Sequence, residues 1–164
     1  MKKTSTILLF CLAWICNIQS FAQDNSKLQL PGDISTSQTT TILQAAQNLA
    51  ESQGILVNIA IVDAGANLKG FLRMDGSYLG SIDIAIRKAK TARLFNCSTG
   101  DLGKISQPGG DIYNIELSNQ GLITFPGGIP IKDKEGLIIG AIGISGGTIE
   151  QDHDIATQAA ESIL

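Results

Sequence analysis

The chain has 164 residues, of which 43% are hydrophobic and 16% charged, with a formal net charge of −3. That length suits one domain around one core, and the excess of apolar over charged residues excludes a disordered chain. An acidic protein of this kind has no general attraction for nucleic acid or for anionic membrane surfaces.

The N-terminus has the layout of a secretory signal. Lys2 and Lys3 form a basic start, Ile7 to Ile15 is apolar, and Ser20-Phe21-Ala22 places small residues where a signal peptidase cuts. Cleavage after Ala22 makes residues 1–22 the signal and the mature protein secreted or periplasmic. A membrane-spanning helix competes with this reading, but the run is shorter than the roughly 20 residues a bilayer needs. A lipoprotein signal also competes, although Trp14-Ile15 before Cys16 suits that cleavage poorly. Removal of the signal leaves ten basic against fifteen acidic residues, a net −5, and no membrane attachment. It also removes Cys11 and Cys16. Cys97 then stands alone, which excludes an intramolecular disulfide and a cysteine-cluster metal site, so packing must stabilise the fold.

Residues 23–34 are polar, contain Pro31-Gly32, and read as a flexible lead-in to a domain over 35–164. Ser35 or Ser37 caps a first helix, in which Ile42, Leu43, Ala46, Leu49 and Ala50 recur at helical spacing until Gly54. Val57 to Val62 is a strand, Asp63-Ala64-Gly65-Ala66 a tight turn, and Asn67 to Arg73 the returning strand of a hairpin. A second helix runs from Ser81, its expected cap, to about Phe95. The stretch from Asn96 to Gly121 reads as irregular, with a short helical turn over 112–116. Leu122 to Phe125, Ile129 to Lys132 and Leu137 to Ile144 read as three strands. Thr148 followed by Gln151 forms a capping box that opens the last helix. Hairpin-type joins throughout imply an α+β fold, an antiparallel sheet of about five strands with helices packed on it.

Several stretches fall in an order of their own: Val62-Asp63-Ala64-Gly65, Arg73-Met74-Asp75-Gly76, Gly80-Ser81-Ile82-Asp83-Ile84-Ala85, Lys88-Ala89-Lys90-Thr91-Ala92, Gln107-Pro108-Gly109-Gly110, the run from Gly140 to Gly147, and Glu150-Gln151-Asp152-His153. This ordered set resembles the GlcG/HbpS-like haem-binding family, which includes the C-terminal domain of PduO-type cobalamin adenosyltransferases. The resemblance implies a profilin-like fold, assembly into a homo-oligomer, and haem or a related tetrapyrrole as a small-molecule ligand for capture or sensing. Iron ligation differs among members of that family, so the resemblance carries no axial ligand across.

Five residues are candidates for ligand contact. On the second helix Ile82, Ile86 and Ala89 share a face that Ala85 and Ala92 extend and into which Arg93 falls, with Lys90 beside it, while Ile84 and Phe95 lie on nearly the opposite side. A helix apolar on two sides is buried on two sides, which points to a subunit interface. A basic group among apolar neighbours needs an anion. For Arg93 and Lys90 that anion is a ligand carboxylate or one of Asp63, Asp75 and Glu116. Asp152 shares a helix face with Ile155, Ala159 and Ile163 and so points inward, to a basic side chain, a ligand hydroxyl or a structural cap contact. His153 and Met74 are the candidate iron ligands, against surface and strand-end roles, and Tyr78, Tyr113 and Cys97 complete that set. A Cys-x-x-Cys-His attachment pattern is absent, so haem would be held non-covalently. No catalytic triad is visible. The competing reading is an enzyme acting on a small organic acid with a carboxylate as general base.

Overall fold

Two capping boxes set the helices that begin and end the domain. Ser35 Oγ accepts the Gln38 N–H at 3.2 Å while the Gln38 side chain accepts the Ser35 N–H at 2.9 Å, and α1 follows over Thr36–Ser52. Thr148 and Gln151 repeat the arrangement for α4, Ile149–Glu161. Each reciprocal pair satisfies amides that the helix itself leaves free. Thr148→Ala is expected to cost about 1 kcal/mol, read from the midpoint of urea unfolding.

Between them lie β1 (Asn58–Val62), β2 (Leu68–Arg73), α2 (Gly80–Phe95), α3 (Thr99–Ser106), a 3₁₀ turn over Ile115–Leu117, β3 (Gly128–Lys132) and β4 (Ile138–Ser145). These elements come from a computed structural model that describes residues 32–164. The signal at 1–22 and most of the lead-in fall outside the described residues. Asp33 and Ile34, at the end of the lead-in, are already anchored. Asp33 accepts from the Ala64 N–H at 3.0 Å and pairs with Lys69 at 2.9 Å, and Ile34 is fully buried.

The sheet has four strands in the order β2-β1-β4-β3, and every pairing is antiparallel. Both hairpins close on the same device. Asp63 Oδ1 accepts the N–H groups of Gly65 and Asn67, and Asp133 Oδ1 accepts those of Glu135 and Leu137, at 2.8 to 3.0 Å. The strand expected at Leu122–Phe125 is absent. Its backbone is satisfied by side chains from the neighbouring helices instead: the Ile123 N–H donates to Thr91 Oγ1, and Phe125 O accepts from Thr99 Oγ1. Among the described residues the sheet therefore has four strands rather than about five.

The stretch taken as irregular contains α3. Ser98 caps it by accepting the Asp101 N–H at 3.0 Å. Gly103 within it lets the helix lie against the 122–125 segment, because a Cβ there would stand 2.1 Å from Thr124 O. Ser81 does not cap α2. It is buried in the first turn, and the cap position is held by Leu79 with no side-chain hydrogen bond.

Side-chain alternation divides the core in two. Ile59, Ile61, Ile142 and Ile144 face α1 and α4, together with Ile42, Ala46, Ile155 and Ala159. Ala60, Val62 and Ala141 face α2, where Ala85, Ala89 and Ala92 meet them. The second interface is built from small residues so that α2 can approach the sheet backbone to backbone. At the free edge of the sheet, the Ile144 N–H donates to Gly127 O and the Gly128 N–H turns the other way, to Thr99 Oγ1. Alternation then directs Pro130 outward, where its missing N–H withholds a donor from any pairing strand.

Candidate functional site

The face that α2 presents to the sheet is set by Ser81, Ala85, Lys88, Ala89 and Ala92, all buried. Ala85, Ala89 and Ala92 of the expected face are there and Ile86 packs beside them, while Ile82 and Arg93 are only half-buried, because the close approach to the sheet favours small side chains. The buried face carries a cation that is not among the five expected contacts. Lys88 has no exposed surface, and its Nζ donates to Asp152 Oδ2 and to Ile144 O, each at 2.8 Å. The ring of Phe125 lies 4.7 Å from that nitrogen. Asp152, only 3% exposed, uses its other oxygen to accept the Gly147 N–H at 2.9 Å. The anion at this helix N-terminus is thus the protein's own carboxylate.

Burial raises the Asp152 carboxyl above its ordinary range, with Lys88 and the Gly147 and Gly146 amides pulling the other way. Burial likewise lowers the Lys88 ammonium, opposed by Asp152. The loop over the pair is fitted to it through Gly127. That residue has φ +120°, and a Cβ on it would stand 2.6 Å from Lys88 Nζ.

Beside this pair opens a cleft of about 350 Å³ with three walls. One is the first turns of α4, with Ile149, Glu150, His153 and Asp154. The second is Pro126 on the covering loop. The third is the start of α3, with Ser98, Gly100, Asp101 and Lys104. Thr99 ties the third wall to the second, since its hydroxyl donates to Phe125 O and accepts the Gly128 N–H. His153 is half-buried, and its Nδ1 is buried with no hydrogen-bond partner among the described residues. Asp101 is held below the usual carboxylate range by hydrogen bonds from Lys104 and Ser98, with the Lys104 and His153 charges adding to this. A second cleft of about 310 Å³ shares Ser98 and continues along α4 past Thr157 to Glu161, opposite Ile129 and Lys132. Cys97 lines it, with its thiol raised by burial and by the Asp101 charge. A hollow of about 670 Å³ on the polar face of α1 carries no titratable side chain.

The expected ligand contacts do not converge. Asp152 points inward as expected and holds a basic side chain, and His153 lies in the cleft. Arg93 is half-buried. Its Nη1 donates to Asn96 Oδ1 at 2.6 Å, and its Nε is buried without a partner among the described residues. Lys90 is exposed. Neither lines the His153 cleft. Met74 follows directly on β2, is 8% exposed in the core that packs on α1 and α4, and borders a separate cleft of about 400 Å³ with Leu56, Leu72 and Arg73. Tyr78 and Tyr113 are exposed. Lys88 was findable. Its spacing with Ala85, Ala89 and Ala92 is i, i+3, i+4, i+7, the signature of one helix face.

The family model for HbpS-like haem degrading proteins matches residues 34–161. A 15.0 kDa protein encoded in the dhaT-dhaS intergenic region of Citrobacter freundii is 36% identical over 130 residues, covering 74% of this chain and 91% of that protein. The corrinoid adenosyltransferase PduO of Citrobacter freundii is 40% identical over 123 residues, and the matched region is 74% of this chain and 36% of that enzyme. A crystal structure of a PduOC:heme complex superposes with a TM-score of 0.75 at 36% identity, covering 80% of this chain and 95% of that one.

Proposed function

The chain belongs to the family of HbpS-like haem degrading proteins, and from that premise we propose that it is an exported protein that binds haem or a related tetrapyrrole non-covalently, for capture or sensing. The observation that carries this reading is the likeness of nearly the whole domain to a relative whose structure contains haem. The site is the cleft at His153. Its imidazole is the sole histidine of the chain, and its buried Nδ1 has no hydrogen-bond partner among the described residues. Ile149 and Pro126 offer apolar surface to a macrocycle, while the Lys104 ammonium is paired with Asp101 at 2.7 Å and would have to exchange that partner to meet a ligand carboxylate. A cleft of about 350 Å³ is at the small end of ligand sites and encloses part of a tetrapyrrole, leaving the remainder to solvent or a second copy. Bound haem would supply an iron centre open to axial ligation. Assembly into a homo-oligomer is part of the same reading, with the half-buried Ile82 and Ile84 on the flanks of α2 as the surface for it.

An enzyme with a carboxylate base finds less support. Asp152 is sealed from the cleft and already committed to Lys88 and Gly147.

Titration of the purified protein with hemin is expected to give a saturable Soret shift. His153→Ala should weaken binding at least about tenfold, the lower bound for a metal site that loses a supporting group. A His153→Ala variant that binds as the parent does removes this cleft from the account.

A further inference from the structure

Lys88 is the one fully buried Lys or Arg among the described residues, and direct ligand contact does not explain it, since the side chain has no exposed surface. We infer that Lys88 is a positioning residue for the His153 cleft, an inference that rests on that cleft being the ligand site.

The three groups around its ammonium belong to three different parts of the fold. Ile144 O is on β4, Asp152 is in the first turn of α4, and the Phe125 ring is on the loop before β3. Asp152 in turn fixes where α4 begins, through the Gly147 N–H, and His153 is the next residue. On the loop, Gly127 lies directly against the ammonium, and the neighbouring Pro126 is the second wall of the cleft. Gly100 at the start of α3 rests on that proline, a Cβ there standing 3.1 Å from Pro126 Cγ. All three walls therefore meet, directly or through one contact, at a single buried ion pair.

Cohesion does not require a charge at this point. Two buried ions lose most of what they gain by attraction in giving up their water, and apolar side chains of similar volume hold a core as well or better. Apolar contact lacks direction. The pair has a donor and acceptors at fixed angles, which admit one placement of α4 relative to the loop, and the imidazole and Pro126 are carried by those two segments. Lys88 thereby acts on the ligand through His153 and not by touching it, as a second layer orients a metal ligand.

The test replaces both charges in the full-length protein, Lys88→Met with Asp152→Leu. The expected variant unfolds at a Tm close to the parent's, yet binds hemin about ten- to a hundredfold more weakly. Its single imidazole resonance, read by NMR without ligand, moves or broadens. Parental affinity and an unchanged imidazole signal in a variant of parental Tm overturn the inference. Should the double variant fail to fold, Phe125→Ala loosens the loop's hold on the ammonium without creating an unpaired charge. It is expected to shift the same two readouts in the same direction, and unaltered readouts there overturn the inference equally. If the parent binds no hemin, the proposed ligand falls, and the ligand-free imidazole signal alone decides whether Lys88 sets the cleft.

Discussion

Asp152→Asn is expected to lower the stability of the folded chain by about 3–5 kcal/mol, the largest effect of any single polar substitution here. The asparagine matches the aspartate in shape and still accepts the Gly147 N–H, so cavity formation contributes little. What it removes is the countercharge of an ammonium with no exposed surface. Lys88 keeps Ile144 O and the Phe125 ring, neither of which carries a full charge. The pH dependence follows in sign. Burial alone already holds Lys88 below the ordinary lysine value of 10.5, and loss of Asp152 lowers it further. The unfolded chain then binds more protons than the folded one between the lowered value and 10.5, so the variant gains stability as pH rises through that window. Lys88→Met with Asp152→Leu leaves no charge behind and should return the unfolding midpoint close to the parent's. A cost under about 1 kcal/mol for Asp152→Asn means that water reaches the pair.

Gly143→Ala is the second large effect, expected at about 3 kcal/mol, the upper end of the overpacking range. A Cβ at 143 would stand 2.1 Å from Ala85 O and 2.6 Å from Ala89 N. Those atoms are helix backbone and cannot swing aside as a side chain does, so α2 as a whole must lift from β4. Lys88 sits on the stretch of α2 between Ala85 and Ala89, so the same substitution disturbs the ion pair. Gly80→Ala is the matched control. It lies in the first turn of α2 with nothing within 4 Å of a Cβ, and the alanine should be neutral or stabilising by up to about 1 kcal/mol. Equal effects at the two positions would contradict a backbone-to-backbone interface.

These two effects concern contacts that the sequence shows only in part. Local chemistry was legible: the capping box at Thr148 and Gln151, the hairpin turn at Asp63 and the four strands that formed are all encoded within a few residues. Leu122 to Phe125 misled because its apolar content is that of a strand, while its backbone partners, Thr91 and Thr99, lie far away in the chain. Helix α3 was hidden by Gly100 and Gly103, poor helix formers kept for close approach to Pro126 and Thr124. The site was half legible. Helical spacing shows that Asp152 points inward, but leaves open which basic side chain, ligand hydroxyl or cap it meets. The isoleucines of α2 draw attention to Arg93 and Lys90 rather than to Lys88. Ala85, Ala89 and Ala92 already belong to the expected face, and Lys88 falls among them at the same helical spacing. Its pairing with Asp152, 64 residues away, is a tertiary fact that spacing along one helix does not contain.

The measurement that bears most directly on ligand binding at His153 is a crystal structure of the full chain grown with hemin, with the iron located by its anomalous scattering. The account expects an iron peak in the cleft between α4 and Pro126, within coordination distance of the His153 imidazole. An iron peak elsewhere on the chain, or fully occupied haem with His153 facing away, contradicts it.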